Sequence, residues 1–301
     1  MAKHVLVTGL GFIGRHVVGE LKKRGCSVSA LERKPDVEEA LALGVRPIVG
    51  DVRDADLVSQ IVPEFDGVIN LAGLLGTAEM MDDPVPAIGT NIVGAVNVFQ
   101  ACRRAGKLGR VVPCVQITAA NHFMDNPYSI TKSTADRFAR MFNSGHGTDI
   151  RIVRALNVYG EWQKNFPVRK VVPNFIHAAL EGKPLKVYGS GGQIMDLIYA
   201  GDVARILVNT LWAESPGDII SAGTGRPLTV LEVARTVIEA VGSRSEIVHA
   251  PMRAGEPEHS VVVGEPETLP QIGIDPRELV RFEDGVRTTA AWYRQNRDFL
   301  V

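Results

Sequence analysis

Three scarcities narrow what this chain can do. Neither charge is in excess: 33 Lys and Arg face 34 Asp and Glu over 301 residues, so the cationic surplus of a nucleic-acid binder is missing. Cysteine is scarce: Cys26, Cys102 and Cys114 are odd in number and far apart, which excludes a disulfide frame and predicts three reduced, core-packed thiols. Long apolar runs are absent: none approaches the roughly 20 residues of a membrane span, and an apolar strand begins within five residues of Met1. No signal peptide, spanning helix or metal site is therefore expected, and the location expected by default is cytoplasmic. The 45% hydrophobic content suits an ordinary globular core.

The first half alternates short β-branched runs with longer helical stretches. Strands are predicted at 4–8, 27–32, 45–49, 67–71, 110–118 and 149–155, and helices at 12–24, 37–43, 55–62, 87–105 and 128–143. That rhythm predicts a doubly wound α/β fold: a Rossmann-like parallel sheet whose ligands meet the carboxyl ends of its strands. After Tyr159 and Gly160 the rhythm changes. Helices at 173–181, 202–212, 230–241 and 285–295 and strands at 185–188 and 193–199 predict a smaller C-terminal α/β substrate region, and 251–270 is expected to be a long loop. Residues 1–160 are thus expected to hold a dinucleotide. Residues 161–301 are expected to hold mainly substrate, with some elements returning to the first sheet.

Gly9, Gly11 and Gly14 follow the first strand and open a helix. Gly9 permits the tight turn, Gly11 keeps a side chain away from a pyrophosphate, and Gly14 lets helix and strand approach. Glu32 closes the second strand 18 residues later, where a carboxylate accepts from both ribose hydroxyls and repels a 2′-phosphate. This favours NAD over NADP, a preference that Arg33 and Lys34 soften. Asp51 and Val52 end the third strand beside the expected adenine, although a helix cap is the plainer role for Asp51. Leu71, Ala72 and Gly73 end the fourth.

Tyr128 and Lys132 lie four residues apart at the start of a predicted helix, so phenol and ammonium share one face. A free phenol ionises near pH 10, too high for a base, and a neighbouring ammonium favours the phenolate. Thr118, at the end of the fifth strand, can donate to or accept from the same substrate oxygen.

With these motifs the chain resembles the extended short-chain dehydrogenase/reductase family, in particular its nucleotide-sugar epimerases and dehydratases. The likeness extends to Arg154 to Gly160 (RALNVYG), Tyr188 to Tyr199 (YGSGGQIMDLIY), Ala222 to Gly225 (AGTG) and Arg253 to Glu256 (RAGE). It implies NAD kept through turnover, with Tyr128 as base, Lys132 on the nicotinamide ribose and Thr118 on the reacting hydroxyl. It also places Phe12, Ile13, Arg33, Asn91 and Leu156 against the cofactor, and Leu75, Ala119, Asn157, Val172, Val187, Gln193, Arg253 and Glu256 against the substrate. Relatives pair as homodimers through the helices flanking the fifth strand, for which Ile88, Ile92, Val96 and Phe99 supply a compatible apolar stripe; the alternative is that this stripe faces the sheet.

The departures matter as much. Dehydratases of the family carry Asp-Glu after the strand-five Thr, whereas here Ala119, Ala120, Asn121 and His122 follow. This disfavours loss of water and favours epimerisation of a UDP-hexose or relative through a transient keto sugar. Met195 stands where relatives place an Arg against the diphosphate, and Glu79 adds negative charge near the sugar. A net sugar or polyol dehydrogenase and a non-catalytic dinucleotide-binding regulator are the other readings.

Overall fold

A computed structural model describes residues 2–76, 79–252 and 259–300. The first half runs β1 (His4–Thr8), α1 (Phe12–Lys23), β2 (Ser27–Glu32), α2 (Val37–Ala42), β3 (Arg46–Val49), α3 (Ala55–Ile61) and β4 (Gly67–Asn70). A single helical run follows, from α4 (Val85–Ala87) through a π-helical turn (Ile88–Gly94) into α5 (Ala95–Lys107). Then come β5 (Cys114–Ala119), α6 (Pro127–His146), β6 (Ile150–Ala155) and β7 (Asn157–Tyr159). The second half comprises α7 (Val171–Leu180), β8 (Leu185–Tyr188), β9 (Ile194–Tyr199), α8 (Ala200–Trp212), β10 (Ile219–Ala222), β11 (Pro227–Thr229), α9 (Val230–Val241), β12 (Ile247–Ala250), β13 (Val261–Val262) and α10 (Phe282–Gln295).

Seven strands form one parallel sheet in the order β10-β6-β5-β4-β1-β2-β3. The order reverses at β1, and β1 and β4 lie side by side, so a crevice opens at their carboxyl ends. Apolar side chains cover both faces. Val7, Ile69, Val153 and Leu207 belong to one layer, and Leu6, Val68, Phe99 and Phe142 to the other. A third cluster, including Phe175, Leu197, Val237 and Tyr293, packs the C-terminal elements. There β9 joins β7, β11 and β13 in a small sheet, while β8 pairs with β12. The second half also completes the first sheet, because β10 extends it beside β6 and α8 packs on α1.

Several expectations need correction. The fifth strand starts at Cys114 rather than 110; Gly109 turns at φ 77°, and Pro113 has no N–H to give a ladder. The region 251–270 is not one loop, since β13 pairs with β9 and a 3₁₀ run spans Pro266–Ile272. Strands β7 and β10 to β13 are two to four residues long, too short to show a period. The helical run Val85–Lys107 has 23 residues and mean hydropathy 1.3 over its most apolar window, long and apolar enough by composition to cross a bilayer. In the fold it packs against α3 and α6. Its π turn adds a residue and rotates the stripe: Ile88 is exposed, but Phe99 is fully buried on the sheet and Val96 packs beside it.

Candidate active site

A cavity of about 900 Å³ lies over the carboxyl ends of β1 to β6 and continues under α7 and β9. Its inner end is lined by Gly9, Gly11, Phe12, Ile13, Gly14, Glu32, Arg33, Asp51, Val52, Leu71, Ala72, Gly73 and Leu156. Gly9 takes φ 105°, and a Cβ on Gly11 would meet no protein atom within 4 Å, so that position opens onto the cavity. Helix α1 has no side-chain cap and no acid in its first turn. Its N–H groups are therefore available to an anion, as a dinucleotide pyrophosphate requires. Glu32 accepts from the N–H of Leu10, bracing the loop besides facing the cavity. Asp51 is not a helix cap, a role taken by Asp54. Instead the Arg53 guanidinium, bonded to both of its oxygens, holds its carboxyl below the usual range.

Asn91 and Val187 are not among the lining residues. Asn91 is buried in the π turn, where its amide bonds both backbone groups of Leu74 at 2.8 and 3.1 Å and donates to Thr131 at 3.0 Å. It thus fixes the strand-four loop against α6 beside Gly73. Val187 is fully buried in the third cluster.

A polar chain that the sequence reading missed underlies the crevice. Thr8 donates to the Asn70 side-chain oxygen Oδ1 and accepts from the N–H groups of Leu71 and Ala72, both at 3.1 Å. The Asn70 amide donates to Gln116 at 2.7 Å. All three side chains are at most 1% exposed. The signal available was a polar residue within each of three largely apolar strands, at the end of β1 and β4 and in the middle of β5.

Asn126 caps α6 by accepting from Ser129 N–H at 3.0 Å, which starts the helix one residue before Tyr128. Tyr128, Lys132 and Thr118 all line the cavity. Tyr128 is half-buried, while Lys132 and Thr118 are 3% and 2% exposed. Burial pushes the Tyr128 phenol up to about 12, with the charge of Asp136 adding to the rise. Burial also lowers Lys132 to about 8, against the opposing pull of Asp136. Desolvation thus dominates at Tyr128, and the phenol holds its proton at neutral pH. Thr118 donates to Asp136 at 2.8 Å; Asp136 was not foreseen.

The outer end is lined by Leu75, Glu79, Ala119, Asn157, Val172, Gln193 and Met195. Asn157 donates to the backbone of Asp196 at 3.2 Å and is otherwise exposed. Arg169, Lys170, Lys183 and Lys186 line the same end. After Thr118 the lining continues through Ala119, Ala120 and Asn121, so no carboxylate follows it. Of the residues expected to lie near it, His122 is exposed and bonds the Ala120 carbonyl at 3.1 Å. Arg253 and Glu256 lie outside the described residues. Below this end the buried Asp196 carboxylate accepts from Thr224, Gly225 and Gly264, tying β9 to the loops after β10 and β13.

The family described as NAD dependent epimerase/dehydratase matches residues 5–223. The chain is similar to a dTDP-glucose 4,6-dehydratase from Mycobacterium tuberculosis, at 30% identity over 97% of this chain and 93% of that one. It is 29% identical to a UDP-N-acetyl-alpha-D-glucosaminuronate decarboxylase from Bacillus cytotoxicus, over 98% and 99% of the two chains. Its fold superposes on a UDP-glucose 4-epimerase from Thermus thermophilus, crystallised with NAD, with a TM-score of 0.84 and 29% identity; 97% of this chain and 99% of that one are covered.

Proposed function

The chain belongs to the NAD dependent epimerase/dehydratase family, whose nucleotide-sugar enzymes use NAD, and on that premise we propose that it is a 4-epimerase of a UDP-hexose or relative. The observation that carries this reading is the wall beside the base. Thr118, Tyr128 and Lys132 meet one cavity, and Ala119 and Ala120 occupy the positions from which acids would expel water. Residues 1–160 hold the dinucleotide in this reading and 161–301 mainly the sugar nucleotide.

NAD, when bound, supplies a hydride acceptor and donor and brings a positive charge near Tyr128. The Tyr128 oxygen takes the proton of the sugar hydroxyl as its carbon becomes a carbonyl, and returns it when the alcohol re-forms. Lys132, reaching toward Gly73, holds a ribose hydroxyl and keeps a cation beside the phenolate. Asn157 and the cations near the start of α7 receive the diphosphate, which eases the loss of an Arg at position 195. Glu79 faces the sugar side.

We also infer a cytoplasmic homodimer. Val85, Ile88 and Val93 on the α4–α5 run and Ile130, Phe138 and Met141 on α6 expose 36–69% of their surface on neighbouring helices, and the three cysteines are free.

The test is incubation with UDP-glucose, other UDP-hexoses, dTDP-glucose and a UDP-uronic acid, followed by NMR. The expected result is a 4-epimer without net NADH, and Tyr128→Phe lowers turnover by about 10²–10⁴. Accumulating NADH selects a dehydrogenase, loss of water a dehydratase and loss of carbon dioxide a decarboxylase; any of these overturns the proposal.

A further inference from the structure

Asp136 follows Lys132 by one helical turn and Tyr128 by two, so the three share one face of α6. It is 4% exposed. Its Oδ2 accepts the hydroxyl proton of Thr118 at 2.8 Å, while its Oδ1 has no hydrogen-bond partner. Arg154, the register neighbour of Thr118 on β6, likewise keeps a buried Nε unpaired. The groups facing this carboxylate are Thr118 from β5, Arg154 from β6, and Tyr128, Lys132 and Arg140 from α6 itself. A half-satisfied carboxylate in a buried site is costly, and such groups cluster where function requires them.

We infer that Asp136 is a positioning residue for this site: it takes the one proton of Thr118, so that the threonine meets the cavity as a hydrogen-bond acceptor, and it places a carboxylate on the helix face shared by Tyr128 and Lys132. A hydroxyl has one proton and two lone pairs. Burial raises the Asp136 carboxyl, while the Thr118 hydrogen bond and the charges of Lys132, Arg154 and Arg140 oppose that rise; with its proton committed to this carboxylate oxygen, Thr118 can only accept from the reacting hydroxyl or from the Tyr128 O–H. Tyr128 then stands as the donor to the keto oxygen, and the return of the proton runs through one group rather than two. The inference rests on the reading of Tyr128 as base, although its charge component does not depend on which sugar is turned over. Burial is the larger cause raising Tyr128 and lowering Lys132; the Asp136 charge pushes both upward. Neutralising Asp136 therefore makes both groups lose their protons more readily.

The first measurement is tyrosinate absorbance against pH in NAD-loaded protein, for the native chain and Asp136→Asn, each corrected by its own Tyr128→Phe counterpart. The Tyr128 midpoint is expected to fall by about half to one pH unit in D136N. An equal or higher midpoint overturns the inference. Should D136N fail to fold, Asp136→Ser, also neutral, carries the same expectation. The second is a double-mutant cycle on UDP-glucose turnover with Asp136→Ala and Thr118→Val. Action through Thr118 means that D136A costs at least about fivefold less in the T118V background than in the native one; equal cost in both refutes the positioning role. If no UDP-sugar is epimerised, the proposed activity fails, and the titration still decides the role of the Asp136 charge.

Discussion

Alanine at Gly14 and at Gly11 separates two demands that the glycine loop meets at once. A Cβ on Gly14 would lie 2.1 Å from the Gly9 carbonyl oxygen and 3.1 Å from its carbon, where ordinary contacts begin at 3.4 Å. Roughly an ångström must be found. Gly9 cannot easily yield, because its φ is 105° and its N–H is bonded to Leu31 O at 3.1 Å. The shift therefore falls on α1, which is itself packed against α8. Overpacking of this kind costs about 1–3 kcal/mol, which for a chain of this size lowers Tm by roughly 2–5 °C. A Cβ on Gly11 touches nothing in the protein, so Gly11→Ala leaves the cofactor-free Tm within about 1 °C of the native value. It does place a methyl group before the N–H groups of α1, so bound NAD is lost. Both variants are compared after NAD removal, since a retained ligand raises Tm by mass action, and NAD per chain is then measured on reconstitution. G14A is expected to lose stability and NAD, and G11A only NAD. A G11A protein that reloads fully, or a G14A protein that melts with the native chain, would refute this division of labour.

Asp196→Ala strips the common acceptor from the N–H groups of Thr224, Gly225 and Gly264 and should cost about 3–5 kcal/mol in urea unfolding, with a small loss counting against it. Lys132 supplies a pH signature. Its folded value near 8 lies below the ordinary 10.5, so between those limits the unfolded chain binds more protons and stability rises with pH. Relative to Lys132→Met, the cofactor-free native chain should gain about 2 kcal/mol from pH 8 to 10, and a flat difference contradicts a buried ammonium. Phe138→Glu places a charge on the exposed apolar face of α6 and is expected to shift sedimentation from dimer to monomer at micromolar concentration with NAD retained; a monomeric native chain refutes the pairing.

The sheet was legible because its strands alternate with helices at a steady spacing, and β1, β2 and β8 have the predicted bounds. Where the chain forms strands of two to four residues, pairing comes from distant partners and leaves no local period, so β10 and β13 were missed. The glycine loop, Tyr128 and Lys132 declare themselves through spacing along the chain. Asp136 does not, because its meaning arises only when β5 brings Thr118 against the third turn of α6. The helix stripe divides between its two readings for a local reason: a π turn breaks the 3.6-residue period, leaving Ile88 exposed while Phe99 packs on the sheet. Met195 marks in the sequence a position where relatives carry a cation, and only the fold brings Arg169 and Lys170 to the same cavity.

The Thr8, Asn70 and Gln116 chain joins three strands beneath the cavity, and each member depends on its strand's register. Sliding β4 by one residue would turn Asn70 to the opposite face and strand the partners on either side. Compact states with misaligned strands can still bury their apolar side chains, but they lose the floor on which the ligand rests. Cofactor uptake is then a proofreading signal for the sheet itself: a refolded molecule that binds NAD has paired β1, β4 and β5 correctly, without any sugar having been offered.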